Sequence, residues 1–478
     1  MLSGPRSTGQ KRPKNVLLLM SDQHKPHALG VDGDPVAHTR NLDALARAGM
    51  RFDHAYCTNP VCVPSRASLL TGLYTHHHHA YNNGTPWPLE IKTAAHYFRN
   101  AGYNTALIGK MHFVDAQTHG FDYHLDFNDW YQYLGPKTKL YADELGRANS
   151  GSGLPQIDDL WRDAGDPWKG TRTLDDRKGF VAVGRVSPLE EKDHFESFVA
   201  RESARFLKEH GRAQPFFLIS SFLKPHDPFM PAARFAAMFR AEDMKLPRTW
   251  GKADFSRLPK EIRDSIAFDR PTPELHDPAM AKQRIAMYYA NLAQMDDALG
   301  QVVRCLRDLG LENDTIVLYT ADHGEMLGEH GMWNKFVFYE SSVGVPLLYG
   351  VPGLTAAGAR SKNLTSLVDV LPTLAELCGF ELPKLDGSSV VSTLQEPRRA
   401  TDATVFAEYN LRTPRAKYMI RRGDYKYNFY THDVDELYDL RSDPDELVNL
   451  AGHTDHNGMV DKMRERLFKW YRPPEMTQ

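Results

Sequence analysis

Asn15-Val16-Leu17-Leu18-Leu19-Met20-Ser21-Asp22-Gln23 is the stretch on which the fold turns. Val16–Met20 is apolar without alternation, the pattern of a strand buried on both faces of a parallel sheet. It runs directly into Ser21, Asp22 and Gln23. The same arrangement recurs along the chain. Thr105–Ile108 is followed by Gly109-Lys110-Met111-His112, and Ile316–Thr320 by Ala321-Asp322-His323-Gly324. Phe216–Ser220 leads, after Phe222 and Leu223, into Lys224-Pro225-His226-Asp227, and Pro346–Tyr349 is a fifth apolar run. Between them lie helical patterns. Asn41–Ala48 has apolar residues at helical spacing, and Thr93–Ala101 stops at Gly102. In Gln283–Leu309 one stripe carries Ile285, Tyr288, Leu292, Met295, Leu299, Val302 and Leu306, with Gly310 as the stop. Strands alternating with helices predict an α/β fold, a mostly parallel sheet sandwiched by helices.

In open sheets of this kind ligands bind outside the carboxyl ends of the strands. Four strands therefore deliver Asp22 and Gln23, Lys110 and His112, Lys224 and His226, and Asp322 and His323 to one edge. Two carboxylates, one amide oxygen and one imidazole suit a hard divalent ion such as Ca²⁺, Mg²⁺ or Mn²⁺. A single Asp after a strand is more often a helix cap. Two such pairs, joined by two Lys/His pairs, favour a site.

The rest of the chain sets bounds. Over 478 residues, 41% are hydrophobic and 25% charged, ordinary values for a globular protein with ample core. Lys+Arg 58 against Asp+Glu 61 gives a net charge of −3, with neither a basic footprint for nucleic acid nor a polybasic membrane anchor. Residues 1–14 are basic and polar, without the apolar core of a signal peptide, and read as a flexible tail on a cytoplasmic protein. Residues 15–399 form the α/β domain. Within it, 124–195 breaks the rhythm with Trp130, Trp161, Trp168 and a Gly/Ser/Pro patch at Asn149–Pro155, and reads as an irregular insertion. Residues 400–478 read as a small α+β subdomain. Its β-like runs are Val405–Tyr409, Ala416–Arg421, Tyr425–Tyr430 and Leu437–Leu440, with a helix near Met459–Trp470.

Four cysteines in a chain of this length are no disulfide framework. Cys57 and Cys62 have neither the Cys-x₂-Cys nor the His-x₃₋₅-His spacing of a zinc site. A thiol phosphatase needs Cys-x₅-Arg, and Arg66 falls too close to Cys62 for that. His76–His79 read as a solvated helix end, and Cys305 and Cys378 as small core residues.

Cys62-Val63-Pro64-Ser65-Arg66, followed by Ala67-Ser68-Leu69-Leu70-Thr71-Gly72, resembles the signature of the type I sulfatases, in which the cysteine is oxidised to formylglycine. The resemblance runs nearly the whole length. Asn15–Gln23 and Thr320–Gly324 with Lys335 resemble the two metal segments. Gly109-Lys110-Met111-His112 resembles the Gly-Lys-x-His element, and Pro225-His226-Asp227-Pro228 the Pro-His-x-Pro element. Glu436–Leu440 through Asn449-Leu450 resembles the family's C-terminal ending. It implies an alkaline-phosphatase-like core and hydrolysis of a sulfate monoester. It also implies Asp22, Gln23, Asp322, His323 and modified Cys62 as ligands of one Ca²⁺, and a formylglycine-generating enzyme as maturation partner. Arg66 would orient the modified residue, Lys110 and Lys335 hold the sulfate, His226 protonate the leaving group, His112 act as base, and Asn83 bind a sulfate oxygen. Gln23 and His323 stand where aspartate and asparagine are more frequent, a pair shared with choline-sulfatase-like and phosphonate-hydrolase-like members, which raises Mn²⁺ or Mg²⁺ as alternatives. A phosphonate monoester or phosphodiester hydrolase is the competing activity. The substrate class is a small-molecule or saccharide sulfate ester, with no nucleic acid or membrane partner. Homo-oligomerisation stays open.

Overall fold

The computed structural model describes residues 15–114, 117–140, 184–252, 258–260, 262–263 and 277–474. The expected tail at 1–14, the Asn149–Pro155 patch, Trp161 and Trp168 lie outside the described residues. The described residues build an eight-stranded sheet and a four-stranded sheet. Strands of the large sheet are β1 (Asn15–Asp22), β2 (Met50–Tyr56), β3 (Asn104–Gly109), β4 (Tyr123–Leu125), β5 (Phe216–Pro225), β6 (Thr315–Ala321), β7 (Gly344–Gly350) and β8 (Ala359–Ser366). Their order is β4-β3-β5-β1-β6-β7-β2-β8.

Side chains alternate across β1, so the two sides of the sheet are apolar and each is covered by helices. Leu17 and Leu19 join residues of helices Arg40–Ala48, Phe195–His210 and Pro278–Asp308. Val16, Leu18 and Met20 join residues of helices Cys62–Thr71, Ala94–Asn100 and Val370–Cys378. Pro278 starts the longest helix among the described residues, and Asp277 caps it by accepting from Ala279 N at 2.8 Å and Met280 N at 3.0 Å. From inside that helix Asp296 accepts from Asn41 N at 2.9 Å and Leu42 N at 2.8 Å, capping the Arg40–Ala48 helix in turn. Among the described residues no helix is long and apolar enough to cross a membrane.

The mostly parallel sheet is as expected, with one correction. The Pro346–Tyr349 run belongs to β7, which pairs antiparallel with both β6 and β2. A strand buried on both faces is a continuous apolar run in either direction, so the pattern carries no sign. β2 and β8 have no counterpart among the sequence-predicted strands, because MRFDHAY and ARSKNLTS are too polar to stand out. β8 is an edge strand, where charged residues are tolerated and useful. The start of the expected irregular insertion is also regular. β4 pairs parallel with β3, and Asp126 and Asp129 form a capping box for helix Phe127–Leu134. Trp130 is core: its ring packs on Phe195, and its Nε1 donates to the Asp193 carbonyl at 2.8 Å.

The small sheet is antiparallel, ordered β12-β11-β10-β9, from β9 (Thr404–Tyr409), β10 (Lys417–Arg422), β11 (Tyr425–Tyr430) and β12 (Glu436–Asp439). Helix Asn457–Trp470 covers it through Val460, Met463 and Leu467.

Candidate active site

β3, β5, β1 and β6 are neighbours in the sheet, so their carboxyl ends form one edge. Ser21 pairs with Ala321 in register, which sets the next residues, Asp22 and Asp322, side by side. After β1 the chain turns at Gln23, with φ +64°. After β3 it turns at Gly109, where a Cβ would lie 1.9 Å from the Ser221 carbonyl oxygen, so only glycine permits Lys110 N to reach that oxygen at 3.0 Å.

Cys62 opens helix Cys62–Thr71, all of whose residues are buried. Pro64 fits the first turn, where no intrahelical partner for its nitrogen is needed. Asn83 completes that end: its Oδ1 accepts from Val63 N at 3.1 Å. The helix N-terminus adds a positive potential at Cys62. Asp22, Cys62, Asp322 and His323, all buried, present ligand atoms within 4.8 Å of one another. Cys62 Sγ lies 3.4 Å from His323 Nε2 and 4.0 Å from Asp22 Oδ1. Burial opposes a charged thiol here. Lys335, Lys110 and His323, with a hydrogen bond from His112, outweigh it and hold Cys62 well below the usual thiol range.

Arg66 ties the edge together. Its guanidinium donates to Asp322 Oδ2 at 2.8 Å, Asp22 Oδ2 at 2.9 Å, Ser221 Oγ at 3.1 Å and the Lys110 carbonyl. Lys110 Nζ pairs with Asp22 Oδ2 at 2.7 Å. Burial and the neighbouring Cys62 push the Asp22 carboxyl up, but Lys110, His226 and Arg66 win and hold it well below the carboxylate range. Burial raises Asp322 against the pull of Arg66, with Asp22 adding to the rise. Burial lowers His323, and Asp322 more than reverses this, leaving it raised.

His226 donates from Nδ1 to the Asp227 carbonyl at 2.6 Å, which turns Nε2 toward Lys335 Nζ at 3.0 Å and Asp22 Oδ1 at 3.9 Å. Lys335 also donates to Gln23 Oε1. The sequence-predicted residues Asp22, Gln23, Cys62, Arg66, Lys110, His112, His226, Asp322, His323 and Lys335 thus form one connected cluster. Asn83 stands beside it, its oxygen used as a helix cap. Lys224 is drawn aside to Glu196, 3.6 Å from its Nζ.

Two participants have no sequence-predicted counterpart. Ser221 braces Arg66 from within β5, where it is one polar residue in an apolar run. Glu325 is buried and accepts from Gln23 Nε2. The one signal for it is its place three residues after Asp322. The His76–His79 stretch is a correction: His78 is buried rather than solvated, its Nδ1 accepting from Ala80 N at 3.1 Å and its Nε2 donating to Ser68 Oγ at 3.0 Å on the Cys62 helix. His76 pairs with buried Glu408 at 2.8 Å.

Two family models match the chain: Sulfatase over residues 14–380, and the C-terminal part of N-sulphoglucosamine sulphohydrolase over residues 328–472. The chain is 31% identical to a choline-sulfatase from Rhizobium meliloti over 471 residues, covering 95% of this chain and 85% of the relative. It is 29% identical to an arylsulfatase from Clostridium perfringens, covering 95% and 94%. The solved phosphonate monoester hydrolase of Agrobacterium radiobacter superimposes with a TM-score of 0.75 at 25% identity, covering 96% of this chain and 95% of that one.

Proposed function

The chain belongs to the sulfatase family and is a sulfuric ester hydrolase, and from that premise we propose that position 62, as formylglycine made from Cys62, carries the nucleophile in a site that holds one hard divalent cation. The observation that carries this is the buried group Asp22, Cys62, Asp322 and His323 at a helix N-terminus, ringed by Arg66, Lys110 and Lys335. Two carboxylates, one imidazole and the Gln23 amide oxygen fit such a cation, with Ca²⁺ the first choice and Mn²⁺ or Mg²⁺ the alternatives. When bound, the cation supplies Lewis acidity that favours an ionised hydroxyl at position 62 near neutral pH.

The chain's own groups do the rest. Lys110 and Lys335, both buried, offer fixed ammonium donors to the sulfate oxygens, worth more here than in water. His226 Nε2 faces the site, so once protonated it can deliver that proton to the leaving oxygen. His112, hydrogen-bonded at position 62, is placed to take a proton from that residue as sulfate departs. Arg66 holds Asp22 and Asp322 in register.

The alcohol released is that of a small-molecule or saccharide sulfate ester. Half-buried Phe336, its ring 5.8 Å from Lys335 Nζ and 6.1 Å from the Tyr409 ring, is placed to touch it. Maturation by a formylglycine-generating enzyme and a cytoplasmic location belong to the same reading. The test is a comparison of kcat/KM on an aryl sulfate, a phenylphosphonate monoester and a phosphate diester. The sulfate ester is expected to lead. A leading phosphonate would transfer the reading to the competing hydrolase.

A further inference from the structure

Gln23 and Glu325 are both fully buried, and their side chains meet at the edge of the metal-ligand group. Lys335 has only donors to offer, so the Gln23 atom it contacts is the amide oxygen. The Gln23 NH₂ therefore points the other way, at Glu325 Oε2. The second oxygen, Oε1, accepts from Leu327 N at 2.9 Å and Asn334 N at 2.8 Å. Those two bonds pin the carboxylate to the backbone of the loop that delivers Lys335. The loop cannot rotate to suit Gln23; the amide must suit the loop.

We propose that Glu325 is a positioning residue that fixes the polarity of Gln23, forcing its amide oxygen toward the cation site and Lys335 and its NH₂ away from them. This rests on the reading that the site holds a divalent cation. An amide flipped by half a turn would present two N–H donors to a cation and to an ammonium, and would leave Glu325 facing another acceptor. The pair also explains why an amide stands at position 23. A carboxylate there would confront the buried carboxylate of Glu325. The negative charge that an aspartate would place next to the cation sits one side chain further back.

Exchanging the charges of the two side chains tests the pairing. In Glu325→Gln the Oε1 position can still accept from Leu327 N and Asn334 N, so the loop is kept. The new NH₂ then meets the NH₂ of Gln23, and the amide at 23 has to flip. Calcium titration calorimetry on the metal-stripped full chain is expected to show binding weakened by about 10–100-fold, the range for losing a partner that orients a ligand. Gln23→Glu alone is expected to bind weakly as well. Gln23→Glu combined with Glu325→Gln restores one donor facing one acceptor and returns an oxygen to the site, and is expected to recover most of the loss. Additive losses in the double variant, or wild-type affinity in Glu325→Gln, would overturn the proposal.

The same four proteins compared by thermal midpoint in EDTA read the pair without the cation. Each single change should lower the midpoint and the double change should recover it. A wild type that binds no Ca²⁺, Mn²⁺ or Mg²⁺ would contradict the metal reading, while the EDTA series still decides the pairing. If Glu325→Gln does not fold, a folded double variant supports the proposal and an unfolded one refutes it.

Discussion

Arg66→Met removes a charge while keeping much of the volume of a side chain that is entirely buried. The guanidinium holds two carboxylates at once, at 2.8 Å and 2.9 Å. Breaking one side of a buried ion pair costs about 3–5 kcal/mol, because the remaining charge is stranded. Here the stranding is uneven. Asp22 keeps Lys110 at 2.7 Å, whereas Asp322 keeps the backbone N–H groups of Gln23 at 3.1 Å and His323 at 3.0 Å, with the His323 ring at 3.7 Å. The loss should therefore fall near the lower bound, about 3 kcal/mol in the metal-free protein. A divalent cation held by the same carboxylates replaces the missing charge. Added Ca²⁺ should thus stabilise Arg66→Met more than it stabilises the wild type. Urea denaturation with EGTA and with Ca²⁺ measures both quantities. Equal Ca²⁺ stabilisation in the two proteins, or an Arg66→Met variant as stable as wild type in EGTA, would refute the reasoning.

Other expectations follow from the same geometry. His226→Ala should slow an alkyl sulfate about 10²–10⁴-fold and an activated nitrophenyl sulfate far less, since an acidic leaving group needs little protonation; equal losses would remove His226 from that role. Asn83→Ala should lower stability by about 1 kcal/mol through loss of the cap on Val63 N, with Asn83→Asp retaining the acceptor. A raised KM with unchanged stability would instead make Asn83 a substrate contact. Burial first, then the neighbouring His79 and His76, lower His78 from 6.5 to about 3. The unfolded chain takes up that proton near 6.5 and the folded chain only near 3, so stability present above 6.5 is lost as pH falls through this window. At pH 5 the loss amounts to about 2 kcal/mol, and His78→Gln should flatten the dependence in denaturation curves at pH 7 and 5; an unchanged pH profile would show that His78 is not held neutral.

Much of the site was legible because it lies at strand ends. Register alone sets Asp22 beside Asp322 once β1 and β6 are neighbours, and the sequence shows each acid directly after an apolar run. Direction and partners were not legible. β7 is reversed although its run looks like any buried strand, and β2 and β8 hide behind polar residues that their places in the sheet allow. The Asn83 cap and the Gln23–Glu325 pair depend on which side chain faces which across long separations, and no spacing rule encodes that. His78 looked solvated because a run of four histidines hides the one that turns inward.

On the proposed reading, Cys62 becomes the oxygen nucleophile of a sulfate-ester hydrolase. Mass spectrometry of the tryptic peptide Phe52–Arg66, from protein made in a host with the maturation enzyme and assayed in parallel on a sulfate ester, tests it most directly. Activity should scale with the fraction of peptide in which the sulfur of Cys62 is replaced by oxygen, while Cys57 in the same peptide stays a thiol. Full turnover by protein whose Cys62 is unmodified would contradict it.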